Sequence, residues 1–162
     1  MNGYIFRWKL QPEDIMSRSR YMNQPENFDL NNNFHTCRGL SSYVENFRRL
    51  TMGVVPSASE NTISTCSRLT SDILDAEIRN LPVLDGYVSV KHTGCIVTEI
   101  ENNTSQELVW RVAFMGQYPQ IKVDGKRYQT DSCQDVYGNI YSMVEVKLPS
   151  GKKMYAQIAG EK

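Results

Sequence analysis

Two short histidine–cysteine pairs are the residues of this chain whose chemistry is easiest to name. His35 precedes Cys37 by two residues, and His92 precedes Cys95 by three. Imidazole nitrogen and thiolate sulfur are the preferred donors for zinc, and two such pairs could complete a tetrahedral site. Their spacing matches no common zinc module. Zinc at these four residues is therefore kept as an alternative, and the main expectation is a protein without a cofactor.

The same side chains could instead serve a thiol enzyme. A cysteine becomes a nucleophilic thiolate near neutral pH only beside an imidazole or another positive group. The two histidines are the candidate bases, and Cys37, Cys95 and Cys133 are the candidate nucleophiles. No known signature surrounds them, and neither the G-x-S-x-G motif nor a glycine-rich phosphate loop occurs. We therefore expect no catalytic residues and no enzymatic activity, with a zinc-binding or thiol-dependent enzyme as a remaining alternative.

Basic residues next to tyrosines form a second candidate site. Aromatic rings beside cationic side chains are how many proteins hold unpaired nucleic-acid bases. Two such groups fall near predicted hairpin turns, where they could converge on one patch. The predicted nucleic-acid-binding residues are Lys126, Arg127, Tyr128, Lys152, Lys153 and Tyr155.

The elements that would position these residues are strands. Beyond Leu84, apolar and polar residues alternate with a period of two, and Gly, Asn, Asp and Pro separate the alternating runs. This pattern is typical of antiparallel strands joined by tight turns, in a sheet or a small barrel. The predicted strands cover 86–92, 95–101, 107–114, 119–124, 126–130, 140–148 and 153–159.

Part of this region resembles a known motif. The resemblance spans 88–112 and is carried by Val88, Val90, Gly94, Val97, Ile100, Trp110 and Val112. It resembles the KOW motif of SH3-like barrels in ribosomal and transcription-associated proteins, although the second glycine of that motif is absent. The resemblance implies a small β-barrel that binds nucleic acid or a polymerase.

Residues 1–84 show helical patterns as well as a strand pattern. A strand is predicted over 4–10, a short helix over 12–21 and an Asn-rich loop over 23–36. Two amphipathic helices are predicted over 42–52 and 58–80, because each begins with a Ser-x-x-Glu capping box and continues with apolar residues at helical spacing. The expected fold is therefore α+β. The N-terminal strand and two helices of 1–84 pack on a C-terminal antiparallel sheet or small SH3-like barrel formed by 85–162, as one compact unit.

Composition and charge argue against several classes of function. The chain has 162 residues, and its 18 Lys plus Arg balance its 18 Asp plus Glu. Such neutrality argues against a general polyanion binder but leaves room for a local patch. No apolar run approaches the roughly 18 residues that a membrane helix needs, and no signal peptide is recognised. We expect a cytoplasmic protein that does not contact membranes, with free thiols and some tendency to self-associate.

On these grounds the expected role is that of a non-enzymatic macromolecular interaction module. Nine Tyr and two Trp in the chain suit contact surfaces, because rings bury much area at low entropic cost. The expected partner is another protein. Its general character is that of viral or phage accessory proteins, which would place it in the host cytoplasm. A small β-barrel that binds nucleic acid through its Lys-rich hairpins is the alternative.

Overall fold

The described part of the chain consists mostly of β-strands. The computed structural model describes residues 5–8, 44–135 and 138–159. Within these ranges there are two open sheets and one short helical segment, and the strands do not close into a barrel. The prediction of two amphipathic helices on a sheet or SH3-like barrel is therefore wrong.

The larger sheet has seven strands. Its order across the sheet is β1 (Ile5–Trp8), β4 (Asp75–Val83), β5 (Gly86–Thr93), β6 (Val97–Asn103), β12 (Lys153–Ile158), β8 (Gln120–Val123) and β9 (Lys126–Gln129). All of its neighbouring pairs are antiparallel. We refer to its solvent-facing side as the outer face.

The smaller sheet has five strands. Its order is β10 (Asp131–Gln134), β11 (Ile140–Leu148), β7 (Leu108–Met115), β3 (Thr62–Cys66) and β2 (Val55–Ser57). The pair of β3 and β7 is parallel, and the other pairs are antiparallel. Each sheet contains strands from both 1–84 and 85–162, so the described parts of the two segments share one hydrophobic core.

The core follows from the alternation within each strand. In β7, Trp110, Val112 and Phe114 are fully buried, and in β5 Val88 and Val90 are buried in the same way. The Trp110 indole N–H donates to Thr65 Oγ1 at 2.8 Å, so its polar edge is satisfied inside the core. Burying every second side chain is the main stabilising term for such strands.

The predicted helix over 58–80 is replaced by strands and a loop. Ile63 and Thr65 face the core in β3, and Ala76 and Ile78 face it in β4, so the apolar spacing alternates on either side of the loop over 67–74. This segment is also rich in β-branched residues, which favour strands. Strand pairing with β7 and β5 therefore outweighs the local capping box.

The predicted helix over 42–52 survives only as a short helical segment. It contains a π-helical turn at Phe47–Thr51, in which Phe47 is buried. Arg48 forms an ion pair with Glu45 that lowers the pKa of that carboxyl group.

The strand predictions fare better. All seven strands predicted beyond residue 84 occur, and β1 lies within the strand predicted over 4–10. The helix predicted over 12–21 and the loop predicted over 23–36 lie outside the described residues.

Two of the four edge strands of the sheets carry features that oppose pairing with another chain. In β2 the edge strand contains Pro56, which has no N–H to donate, and in β9 the edge strand contains Lys126 and Arg127. Proline and charged residues on edge strands are common protections against edge-to-edge association. A partner is therefore not expected to add a strand at β2 or β9.

Candidate functional site

His92 is a fully buried residue of β5. Its Nδ1 lies 2.9 Å from Thr98 Oγ1 and its Nε2 lies 2.8 Å from the Met52 carbonyl oxygen. Since a carbonyl can only accept, Nε2 carries the proton and Nδ1 accepts from the threonine hydroxyl. Burial lowers the pKa of His92 to about 4, so the imidazole is neutral at physiological pH. Both ring nitrogens are thus engaged, and neither is turned toward a ligand.

Cys95 does not share the surroundings of His92, with which it was paired as a candidate zinc ligand. Its thiol donates to the Leu69 carbonyl oxygen at 3.0 Å. Cys66, Cys95 and Cys133 are free thiols, and burial raises the pKa of Cys66. In the described ranges no group of three or more His, Cys, Asp or Glu side chains could hold a metal. His35 and Cys37 lie outside those ranges, so the four-residue zinc site receives no support from His92 and Cys95 and stays a prediction.

The predicted nucleic-acid residues lie toward one end of the larger sheet. Asp124, in the β8–β9 turn, exchanges backbone and side-chain hydrogen bonds with Tyr155 of β12, at 2.8 and 2.9 Å. The β11–β12 turn containing Lys152 immediately precedes the same stretch of β12. The structure therefore brings the Lys126–Arg127 turn and the Lys152–Lys153 turn to the same end of the sheet.

Strand register nevertheless divides these six residues between two faces. Tyr128 is paired with the buried Ile121 and packs against the core. Tyr155 points the other way and is 43% exposed on the outer face. Because successive side chains alternate between faces, Arg127 shares the outer face with Tyr155, whereas Lys126 shares the side of Tyr128. The two tyrosines cannot form one stacking platform.

Two acidic side chains lie beside Lys153, which is two positions before the exposed Tyr155 on β12. Lys153 Nζ lies 2.7 Å from Glu99 Oε2, and this hydrogen bond is the main reason that the pKa of Lys153 is raised. Glu101 is the direct cross-strand neighbour of Lys153. A phosphate approaching Lys153 would therefore meet two carboxylates as well.

Three loops that are hydrogen-bonded together lie at the opposite end of the larger sheet. The loop over 67–74 lies between the other two, which are the helical turn with residues 52–54 and the β5–β6 turn at 94–96. The Arg68 N–H donates to the Thr51 carbonyl at 3.0 Å. The Ser67 hydroxyl donates to the Gly94 carbonyl at 2.8 Å, and the Gly94 N–H donates to the Leu74 carbonyl, also at 2.8 Å.

Each of these three loops exposes one large aliphatic side chain. Leu50 is 60% exposed, Leu74 is 69% exposed and Ile96 is 56% exposed. We call these three residues the aliphatic tip. Single exposed aliphatic residues are ordinary on protein surfaces, but three on loops that are bonded to one another are typical of a contact surface.

Sequence reasoning missed the aliphatic tip because it placed all three residues inside regular elements. Leu50 and Leu74 were expected on the apolar faces of the two helices, and Ile96 within the strand predicted over 95–101. For Ile96 the sequence did contain a signal of exposure. It follows the turn residues Thr93 and Gly94, and side chains at turns are often exposed to solvent. For Leu74 no comparable signal exists, since its exposure depends on the strand that begins at Asp75.

No known protein family, curated protein or solved structure matches this chain. Its function is therefore inferred from its own residues and contacts. In the described ranges, no helix has the length and apolar character needed to cross a membrane.

Proposed function

We propose that this chain is a non-enzymatic interaction module that binds another protein through its aliphatic tip. The observation that carries the proposal is the exposure of Leu50, Leu74 and Ile96 on three mutually hydrogen-bonded loops. The hydrogen bonds hold the loops in place, so little conformational entropy is lost when a partner covers them.

The shape of this surface indicates the kind of partner. The three side chains are large, aliphatic and each more than half exposed to solvent, so they offer apolar surface for a partner to cover. A protein partner that binds them needs a concave apolar pocket, in which buried aliphatic and aromatic anchors supply most of the affinity. The viral or phage origin expected from the sequence is compatible with such a role and is retained as part of the proposal.

A double variant tests the proposal. Replacing Leu74 and Ile96 with Asp places charges where apolar contact is needed, and we expect binding to the partner to weaken at least tenfold, which is about 1.4 kcal/mol. Proteins captured from source cells by the wild-type chain and by the variant are compared quantitatively. A captured protein is then purified, and its affinity for each form is measured directly.

The matched control is Leu84→Asp, because Leu84 is also an exposed aliphatic residue but lies in the β4–β5 turn at the other end of the larger sheet. It should retain the partner. Equal affinity of the wild type and the double variant for every purified candidate would overturn the proposal. Binding to lipid vesicles that the double variant abolishes would also overturn it, since the surface would then serve a membrane. A dimer that only the double variant disrupts would make the partner a second copy of the chain.

Nucleic-acid binding is the second candidate, favoured by the placement of two basic turns at one end of the larger sheet. Changing Lys126, Arg127, Lys152 and Lys153 to Ser should weaken binding and make the dependence of log affinity on log salt shallower by about 0.9 per lost phosphate contact on duplex DNA. The control is Lys147→Ser, an exposed lysine of the smaller sheet that pairs with Glu107. An unchanged salt slope in the folded quadruple variant would dismiss this patch.

A further inference from the structure

The solvent-facing side of the smaller sheet changes character along its strands. In the middle of the sheet, Arg111 forms ion pairs with Glu60 and Glu145. Toward the end that adjoins the loop over 67–74, sulfur-containing side chains take the place of charges. We call this group the sulfur cluster, formed by Cys66 of β3, Met115 of β7 and Met143 of β11 around Ala113 of β7.

Strand register places the three sulfur-containing side chains around Ala113. Ala113 is the cross-strand neighbour of Met143 on one side and of Cys66 on the other. Met115 follows it by two residues on the same strand. Neighbouring strands lie about 4.8 Å apart, and alternate residues of a strand project from the same side of the sheet. The three side chains therefore adjoin the alanine in three directions on the solvent-facing side.

The burial of Ala113 shows that neighbouring side chains lie over it. Its methyl group is on the solvent-facing side of the sheet, yet it is only 5% exposed. Cys66, Met115 and Met143 are each half-buried. A methionine side chain turns about three bonds, so both thioether sulfur atoms can meet the Cys66 sulfur above the small alanine. A larger residue in place of Ala113 would fill this space.

We propose that the sulfur cluster binds a single copper(I) ion through the thiolate of Cys66 and the thioethers of Met115 and Met143. Thiolate and thioether sulfur are soft donors, which select Cu(I) among the biological metals. Zinc prefers sites built from thiolate, imidazole and carboxylate donors. In residues 5–8, 44–135 and 138–159, no group of three or more His, Cys, Asp or Glu side chains could hold a metal, so the cluster does not suit zinc.

Binding exchanges a proton for the metal ion. Cu(I) replaces the proton of the Cys66 thiol, which passes to solvent, and neither copper nor sulfur changes its oxidation state. Burial raises the pKa of this thiol, while the positive charge and the hydrogen bond of Arg68 oppose that effect. The thiolate and Cu(I) carry opposite unit charges, so the loaded cluster adds no unpaired charge to a half-buried position.

The test is an anaerobic titration of the reduced full chain with Cu(I), with bicinchoninate as competing chelator and labelled methionine methyl groups as NMR reporters. We expect the methyl signals of Met115 and Met143 to shift and to saturate at one equivalent of copper. The methyl signal of Met154, which is buried in the larger sheet, should stay unchanged. Replacing Met115 and Met143 together with Leu conserves apolar volume and should weaken binding at least about tenfold. The matched control is Met154→Leu, which should bind Cu(I) as the wild type does.

Cysteine variants separate the sulfur cluster from the other thiols. Cys66→Ser should abolish the two methyl shifts. Cys133→Ser removes another half-buried free thiol from the smaller sheet and should preserve them. Amide spectra show whether each variant is folded, and if Cys66→Ser does not fold, the double Leu variant decides the question.

Four results would overturn the inference. They are the absence of Cu(I) binding, copper binding without shifts at Met115 and Met143, equal affinity of the wild type and the double Leu variant, and shifts of the same methyl groups by zinc at equal or higher affinity. All of the variants retain Leu50, Leu74 and Ile96, so none of these results bears on the protein-binding proposal.

Discussion

Asn102→Asp is expected to destabilise the protein by about 3–5 kcal/mol, because a buried and a half-buried carbonyl group lose their donors and a carboxyl group is buried in place of the amide. The Asn102 side-chain amide donates to the Gln106 carbonyl at 2.8 Å and to the Leu148 carbonyl at 3.1 Å. Its oxygen accepts from the backbone N–H and hydroxyl of Thr104, at 3.0 and 2.8 Å. This one residue thereby connects the end of β6 to the end of β11 in the other sheet.

Its neighbour provides the matched control. Asn103 is the same residue type, one position along β6, and it is exposed. Asn103→Asp should change the stability by no more than about 0.5 kcal/mol. Urea unfolding followed by tryptophan fluorescence measures both variants, and a fall in the midpoint at constant slope reports a loss of stability. Similar midpoints for the two variants would show that the Asn102 bonds do not stabilise the fold as argued.

His92 should make stability depend on pH over a defined range. Its pKa is lowered from 6.5 to about 4 in the folded protein, chiefly by burial. Between these values the unfolded chain binds a proton that the folded protein does not, so acidification favours unfolding. Stability should be constant above about pH 6.5 and fall progressively to about pH 4, by about 3 kcal/mol in all, since one pKa unit corresponds to about 1.4 kcal/mol.

Two variants isolate this contribution. His92→Gln is expected to be less stable at neutral pH but to lack the loss between pH 6.5 and 4. His35→Gln removes the other histidine of the chain and should retain it. The exposed carboxyl groups of Asp72 and Asp85, whose pKa values are lowered by hydrogen bonds, lose their contribution only in more acidic solution and do so in all three proteins. The same slope in His92→Gln as in the wild type would contradict the assignment.

Around Lys126 the local sequence predicts the hairpin and the alternation of side chains, but not which face of the sheet is buried. The alternation of Lys126, Arg127 and Tyr128 predicts that neighbours point to opposite faces, and the turn residues Asp124 and Gly125 predict the hairpin. Neither feature tells which face is buried. That depends on the pairing of Ile121 with Tyr128 and of Glu99 with Tyr155. The first pairing packs the half-buried Tyr128 against the core, and the second leaves Tyr155 exposed on the outer face.

The sequence by itself determined seven of the eight described strands beyond residue 84, all except β10, because a period of two and strong turn residues act over only a few positions. The segment from Ser57 to Asn80 carries both a capping box and β-branched residues, so its local preferences conflict. Tertiary structure decided that conflict. β3 gains a parallel partner in β7, which lies far away in sequence, and β4 gains an antiparallel partner in β5, which exists only once the sheet has formed. It likewise decided that Leu74, in the loop just before β4, is left outside the core, because burial of an aliphatic side chain depends on what packs over it and not on its own hydrophobicity.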